Sequence, residues 1–486
     1  MNTILGIIDT LSEEERHEFL LFQQKKNRRS DTKNAQLFKY FVNGIHENLD
    51  HKLYGKSAKN AYHALCKRLQ DSLVDFVASK SFSNETGEEL DILKKLLAAR
   101  IFFEHKQYKV GFKTLAQAEK KAQALDVYAL LTEIYHTQIQ YAHLNATLDL
   151  PLLLAKCKEN LQNFTQEQEL NMIYATIKQL ARQPQQRTTN DIVTDAFSNF
   201  NSTIDTKLTY KALFQLLNLT ATTAKWQSDY HSNLPFMERV YAVISAKKEP
   251  KDKHLYYHIE ILHLMATTHF RNKNFTASLD FLEKMKTEMA KKNGSYHNQF
   301  YEKWLVLKAL NLNYTNQSKK AIQLLEQQAS KSLDCSLALM MSLFQQQHFT
   351  DAYQILKKMH HSDVWYEKKM GWIWVLKKAI IEILLLVELD KLDLVLSRLQ
   401  GFQKKYTKKL QLLGESRVLN FIKLIGLYYE NPKAITTPSF KERVETSFDW
   451  IGKEREDIFV MSFYAWLKAK MEQRDLYEVT LALVKA

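Results

Sequence analysis

One three-point pattern constrains this chain more than any other feature of its sequence. It recurs four times between Lys253 and Lys409. An anchor residue (Phe275, Ser318, Phe349, Leu392) is followed three positions on by a smaller one (Ser278, Ala321, Ala352, Val395), and four positions later by a leucine (Leu282, Leu325, Leu356, Leu399). A fifth copy, Tyr108 with Gly111 and Leu115, lies upstream. Positions 0, +3 and +7 share one face of an α-helix. The small residue lets a second helix approach closely, and the leucine fills the space one turn on. Nine residues before the anchor stands another small residue in three copies (Ala99, Ala266, Ala309), with Met340 and Ile383 in the other two. The pattern predicts helix, tight turn, helix, crossing at the small residues.

This unit resembles the tetratricopeptide repeat (TPR), whose second helix carries an aromatic residue, an alanine three later and a large apolar residue four after that. The likeness covers about half of the chain. It departs from the family in three ways. The proline that usually ends such repeats is missing, Ser318 and Leu392 replace the aromatic, and the anchors are 43, 31 and 43 residues apart rather than evenly spaced. The resemblance implies an all-α fold: an α-solenoid of TPR-like helix-turn-helix repeats, each pair burying its apolar face on the next. It also implies a non-enzymatic adaptor or scaffold that binds a protein or peptide partner on the surface of the solenoid.

Composition agrees with helices. Among 486 residues there are only 11 glycines and 6 prolines, too few for a turn-rich sheet fold. The formal net charge is +14, which favours acidic partners: an acidic protein face, nucleic acid or anionic lipid. Solvated lysine-rich helices would account for the same charge. Cys66, Cys157 and Cys335 are far apart, form no CxxC pair and suit a reducing compartment. The first residues lack a basic segment and turn acidic at Glu13, Glu14 and Glu15, unlike a signal peptide. The most apolar window, 379–389, contains Glu382 and Glu388 and is too short to span a bilayer. A cytoplasmic protein without membrane insertion is expected.

Four segments follow from the pattern. Residues 1–80 read as a basic helical N-terminal unit, with a polar break at 79–87. Residues 88–183 form a first helical-repeat segment, 184–251 an irregular helical connection, and 252–486 the TPR-like segment with its C-terminal cap. Within the first unit, Ser12 with Glu15 reads as a capping box, and Asp31 and Ser57 as caps of two further helices. Apolar stripes at Leu37, Phe38, Phe41, Val42 and Ile45, then Ala58, Ala61, Tyr62, Leu65, Leu69, Leu73 and Phe76, mark those helices. Further on, Leu150–Phe164 and Gln166–Gln183 read as two helices, and 455–484 as one.

Two clusters are candidate sites. Between Leu20 and Gln70 eleven Lys and Arg face only Asp31, Glu47 and Asp50. Lys25, Lys26, Arg28, Arg29, Lys59, Lys67 and Arg68 are candidate polyanion contacts, which makes a nucleic-acid-binding regulator the alternative function. A docking or capping role for this unit is the competing reading. The second cluster is Trp365, Tyr366, Lys368, Lys369, Trp372 and Trp374, a candidate partner surface because aromatic and basic residues are enriched at binding hot spots. Core packing is the other reading. Chemistry is not signalled. There is no GxxxxGK[ST], GxGxxG or GxSxG. His254, His258, His263 and His269 cluster without the glutamate of a zinc-hydrolase motif. Neither an enzyme, a metal nor a cofactor is expected.

Overall fold

The computed structural model describes residues 2–11, 13–26, 33–45, 47–84, 88–181, 189–200, 204, 208–227, 231–247, 254–328, 332–412, 416–447 and 456–485. Among the described residues every regular element is helical and no strand occurs. The all-α expectation is therefore met. The chain forms two compact units, one of residues 1–123 with 129–157, the other of residues 124–128 with 158–486.

The first unit opens with five helices: Asn2–Thr10, Glu13–Lys26, Lys33–Val42, Leu49–Tyr54 and Lys59–Asn84. Their shared core contains Ile4, Ile8, Phe19, Leu37, Phe38, Phe41, Leu65, Leu69, Leu73 and Phe76. Phe19 is its centre, with ring centroids 4.6 Å from Phe38 and 5.4 Å from Phe76. These are favourable offset and edge contacts. Of the apolar stripes read from the sequence, Leu37, Phe38, Phe41, Leu65, Leu69, Leu73 and Phe76 are buried, whereas Val42, Ile45, Ala58 and Tyr62 are half-buried at the edge and Ala61 is exposed. Two helices were not legible there, Asn2–Thr10 and Leu49–Tyr54. Ser57 does not cap as expected. Asp50 takes that part, accepting from the Ala58 backbone N–H at 3.3 Å and the Ser57 hydroxyl at 3.5 Å. Ser12 and Asp31 lie outside the described residues. Of the break expected at 79–87, residues 79–84 are the end of helix Lys59–Asn84, and residues 85–87 lie outside the described residues.

A helix pair follows, Glu88–Glu104 and Tyr108–Ala124. Ala99 and Leu115 are fully buried, and a Cβ added at Gly111 would come within 2.8 Å of the Phe103 ring. A larger residue at this crossing would force the Phe103 ring to shift. The two helices expected over Leu150–Phe164 and Gln166–Gln183 are one, Leu150–Ala181. Its middle holds no Gly or Pro, and the Thr165 hydroxyl donates back to the Leu161 carbonyl at 3.0 Å without breaking it.

In the second unit the recurring pattern has a single structural meaning. Each anchor is the first residue of its helix, in Phe275–Met289, Ser318–Glu326, Phe349–Lys357 and Leu392–Leu412, as it is in Tyr108–Ala124. Ser278, Ala321, Ala352 and Val395 are each 0% exposed, and the leucines four residues on are buried. The residues nine before the anchors, Ala266, Ala309, Met340 and Ile383, are buried as well. At one crossing the Ser278 hydroxyl donates to the Ala266 carbonyl at 2.8 Å.

The turns repeat too. Two residues before each anchor the backbone is left-handed: Lys106 (φ 59°), Lys273 (60°), Asn316 (64°), Gln347 (60°) and Asp390 (49°). The next residue's N–H then reaches back five positions to close the preceding helix, as in Asn274 to His269 (2.9 Å) and His348 to Leu343 (2.9 Å). This is the Schellman closure, normally made with glycine. Here it is made without glycine, which is how so many tight turns coexist with so few glycines.

Within the pairs Leu255–Arg271 packs on Phe275–Met289, His297–Tyr314 on Ser318–Glu326, Leu333–Gln345 on Phe349–Lys357 and Trp372–Glu388 on Leu392–Leu412. Successive pairs meet through Phe275–Met289 on His297–Tyr314, Ser318–Glu326 on Leu333–Gln345 and Phe349–Lys357 on Trp372–Glu388. The segment expected as one closing helix is two, Ile458–Glu472 and Leu476–Lys485, split at left-handed Gln473 (φ 54°). Ile458–Glu472 is buried almost all round, with Trp466 1% exposed. It meets the ends of several pairs. Ser462 lies 2.7 Å from the Tyr314 hydroxyl, Asp457 pairs with Arg271, and Lys470 and the Trp466 indole N–H both reach Glu388.

Candidate functional site

The aromatic-basic cluster divides by depth. Tyr366 is 1% exposed and Trp374 8%, stacked with centroids 5.4 Å apart. With Val375 they form a small core bordered by Leu333, Leu337, Met359 and Met370. These two residues are the floor of the cluster, not its surface. The reason is a turn at Gly371 (φ 86°), which separates helix Asp363–Met370 from Trp372–Glu388 and folds one back on the other. Trp365 and Trp372 are half-buried, and Lys368 and Lys369 are exposed. Trp365 lies between His361, stacked at 3.9 Å, and the Lys369 ammonium, 4.9 Å from its ring. Lys409 covers Trp372 at 4.6 Å.

Beside this cluster is a cleft of about 520 Å³. Its apolar wall is Tyr353, Leu356, Met359 and Val364, and its charged wall is Lys378, Glu382, Arg398, Lys405 and Asp363. Lys378 is buried and bridges Asp363 (3.2 Å) and Glu382 (3.5 Å). Glu382 also receives Arg398 at 2.7 Å. Lys405 stands 3.6 Å from Asp363 and 3.9 Å from Glu367, and Lys409 is 3.1 Å from Glu367. Burial works to raise the Asp363 pKa, but Lys378, then Lys405 and Arg398, outweigh it and hold the carboxyl below its ordinary value. The Tyr406 phenol is pushed up, by burial first and by Asp363 and Glu367 after it. Between residues 353 and 412 twelve Lys and Arg stand against six Asp and Glu. The cleft is thus a pre-assembled, net basic surface with an apolar side. Of its ion pairs only Lys378 with Glu382 has helical i,i+4 spacing. The others join residues 15 to 42 apart, so no local signal could reveal them.

The N-terminal candidates fall into two groups. Arg28 and Arg29 lie outside the described residues, as do the side chains of Lys25 and Lys26. Lys59, Lys67 and Arg68 sit on helix Lys59–Asn84, exposed and away from its buried Leu65, Leu69 and Leu73.

The four histidines of Leu255–Arg271 and its cap do not converge. His254 faces Asp126 (3.2 Å), His258 faces Glu288 (3.5 Å) and His269 faces Glu238 (4.0 Å), each carboxylate from a different part of the chain. His254 also stacks on Tyr210 and His269 on Phe281. Among the described residues no group of three or more His, Cys, Asp or Glu could hold a metal ion. No described helix is long and apolar enough to cross a membrane.

No protein-family model matches the chain, and no curated protein or solved structure is similar enough to count as a relative.

Proposed function

We propose that this protein is a non-enzymatic, cytoplasmic adaptor or scaffold, built as a TPR-like solenoid, that holds a protein or peptide partner. The solenoid reading is supported by five copies of one turn, each followed by a buried small residue and a buried leucine, with successive pairs packed on each other. The observation that carries the functional reading is the cleft between Phe349–Lys357, Asp363–Met370, Trp372–Glu388 and Leu392–Leu412. Rigid helices hold its cations in place through mutual ion pairs. Its apolar wall offers burial to a side chain, and its net positive charge selects an acidic segment. The groove along the pair ends is less suited to this task, because the chain's own helix Ile458–Glu472 already fills it.

The test is affinity capture with the natural protein and with an Arg398→Gln, Lys405→Gln variant. Arg398 is 53% exposed and Lys405 32%, and both carboxylates keep Lys378 as a partner. Circular dichroism confirms that the variant is folded before capture. A partner held by the natural protein and lost from the folded variant supports the proposal. Identical capture by both refutes the cleft as its site.

A further inference from the structure

The first unit carries a second charged surface of a different kind. In the cleft, cations are tied to carboxylates. On Leu49–Tyr54 and Lys59–Asn84 they are not. Lys52, Lys56, Lys59, Lys67 and Arg68 are all exposed, and among the described residues none has a carboxylate at ion-pair distance. The nearest acid in sequence, Asp50, is occupied with the Ala58 N–H and the Ser57 hydroxyl.

Lys59, His63 and Lys67 fall on successive turns of one outward face. At 1.5 Å per residue they are about 6 Å apart along the axis, a row rather than a scatter. Lys56 lies in the bend before this helix, and Lys52 lies on the short helix packed against it. No acidic side chain interrupts the row before Asp71.

What flanks the row narrows the ligand. Asn60, Ala61 and Ala64 are the exposed neighbours, and no large apolar side chain is exposed between Lys52 and Arg68. A helix that lies on a membrane needs such side chains to enter the lipid. Single-stranded nucleic acid is held largely by stacking on aromatic rings. Here Tyr54 and Tyr62 are half-buried, and the Tyr54 hydroxyl is engaged with the Ala61 carbonyl at 3.1 Å. What remains is a row of unneutralised cations on a rigid helix, suited to the sugar-phosphate backbone of a duplex.

We infer that the face of Lys59–Asn84 carrying Lys59, His63 and Lys67, with Lys52, Lys56 and Arg68 around it, binds the phosphate backbone of double-stranded DNA without reading its base sequence. The site is independent of the cleft and acts through a separate unit.

The test uses the full chain and a fluorescent DNA duplex of arbitrary sequence, about two helical turns long, followed by anisotropy between about 50 and 200 mM salt. With about five phosphates contacted, the logarithm of affinity falls against the logarithm of salt with a slope near −4.5, a loss of roughly 500-fold over that range. Lys59→Glu with Lys67→Glu weakens binding by at least about tenfold, while circular dichroism and the melting temperature confirm that the variant is folded. The control carries the same charge change elsewhere, Lys319→Glu with Lys320→Glu on exposed positions of Ser318–Glu326, and it binds as the natural protein does. An equal loss in both variants would assign binding to net charge and overturn the site. A slope shallower than about −1 would overturn phosphate contact. Tighter binding to oligo-dT, or binding to phosphatidylserine vesicles but not to duplex, would overturn the choice of ligand.

Discussion

The hydroxyls of Tyr314 and Ser462 lie 2.7 Å apart although 148 residues separate them. Tyr314 ends a helix of one pair, and Ser462 sits in Ile458–Glu472. The contact belongs to a buried polar group: Gln345 Nε2 donates to the Tyr314 oxygen at 3.4 Å, and Asn313 Nδ2 to Gln345 Oε1 at 2.6 Å. Burial raises the Tyr314 pKa, so the phenol stays neutral and can donate. Ile458–Glu472 is thereby keyed to several pairs at once.

Trp466 makes that role measurable. It is 1% exposed and its indole N–H reaches Glu388. Trp466→Ala should cost about 3–5 kcal/mol. Tyr314→Phe removes both hydrogen bonds of that hydroxyl, to Ser462 and from Gln345, and should cost about 1–3 kcal/mol. Urea unfolding followed by circular dichroism gives both values. Trp466→Ala as mild as Tyr314→Phe would mean the helix is an appendage.

The turns give a prediction of opposite sign. Lys106 is exposed and holds a φ of 59°, a conformation that glycine adopts without cost. Lys106→Gly should stabilise the first unit by up to about 1 kcal/mol, and Lys106→Val should destabilise it by more than that. Thermal unfolding of the two variants beside the natural protein checks the order.

Small residues at the crossings predict a contrast within single helices. Ala321 and Ala352 are 0% exposed, whereas Gln323 and Gln354, two positions on, are exposed. Ala321→Leu or Ala352→Leu should cost about 1–3 kcal/mol through overpacking. Gln323→Leu or Gln354→Leu should change stability by less than about 0.5 kcal/mol. Equal effects would contradict the phase of these helices.

Stability should fall in mild acid. Burial pushes His263 down to about 3, aided by Lys303, and lowers His269 despite the opposing charge of Glu238. These rings stay neutral when folded and protonate once unfolded below about pH 6.5. The unfolded state then binds more protons, so stability rises with pH between the folded and unfolded values and is lost as pH drops through 6.5. The slope is at most about 1.4 kcal/mol per pH unit for each such histidine. Asp91, Glu283 and Asp363 have lowered values and add their loss only below about pH 4. Urea midpoints at pH 7 and pH 5 should therefore separate in the natural protein and draw together in His263→Gln.

The sequence shows local geometry well and distant geometry hardly at all. The anchor, small residue and leucine were legible because a helix fixes what lies three and seven residues away. The left-handed turn residues were not, since Lys106, Lys273 and Gln347 carry no preference for that conformation. The break at Gln473 is hidden for the same reason. Trp365, Tyr366, Trp372 and Trp374 were recognisable as a cluster, but which of them are buried depends on the fold-back at Gly371. The path of Ile458–Glu472 across several pairs, and the sharing of Asp363 between Lys378 and Lys405, depend on packing between helices far apart in sequence.

The adaptor proposal stands or falls on whether a partner enters the cleft. Val364 lines it and is 59% exposed. A photo-crosslinking residue placed there, with a second at Lys319 on another helix as control, should be irradiated in extract of the native cell. The account predicts a dominant protein or peptide adduct from position 364, absent from position 319 and lost when Arg398→Gln and Lys405→Gln are added. No adduct from 364, or the same adducts from both positions, would contradict it.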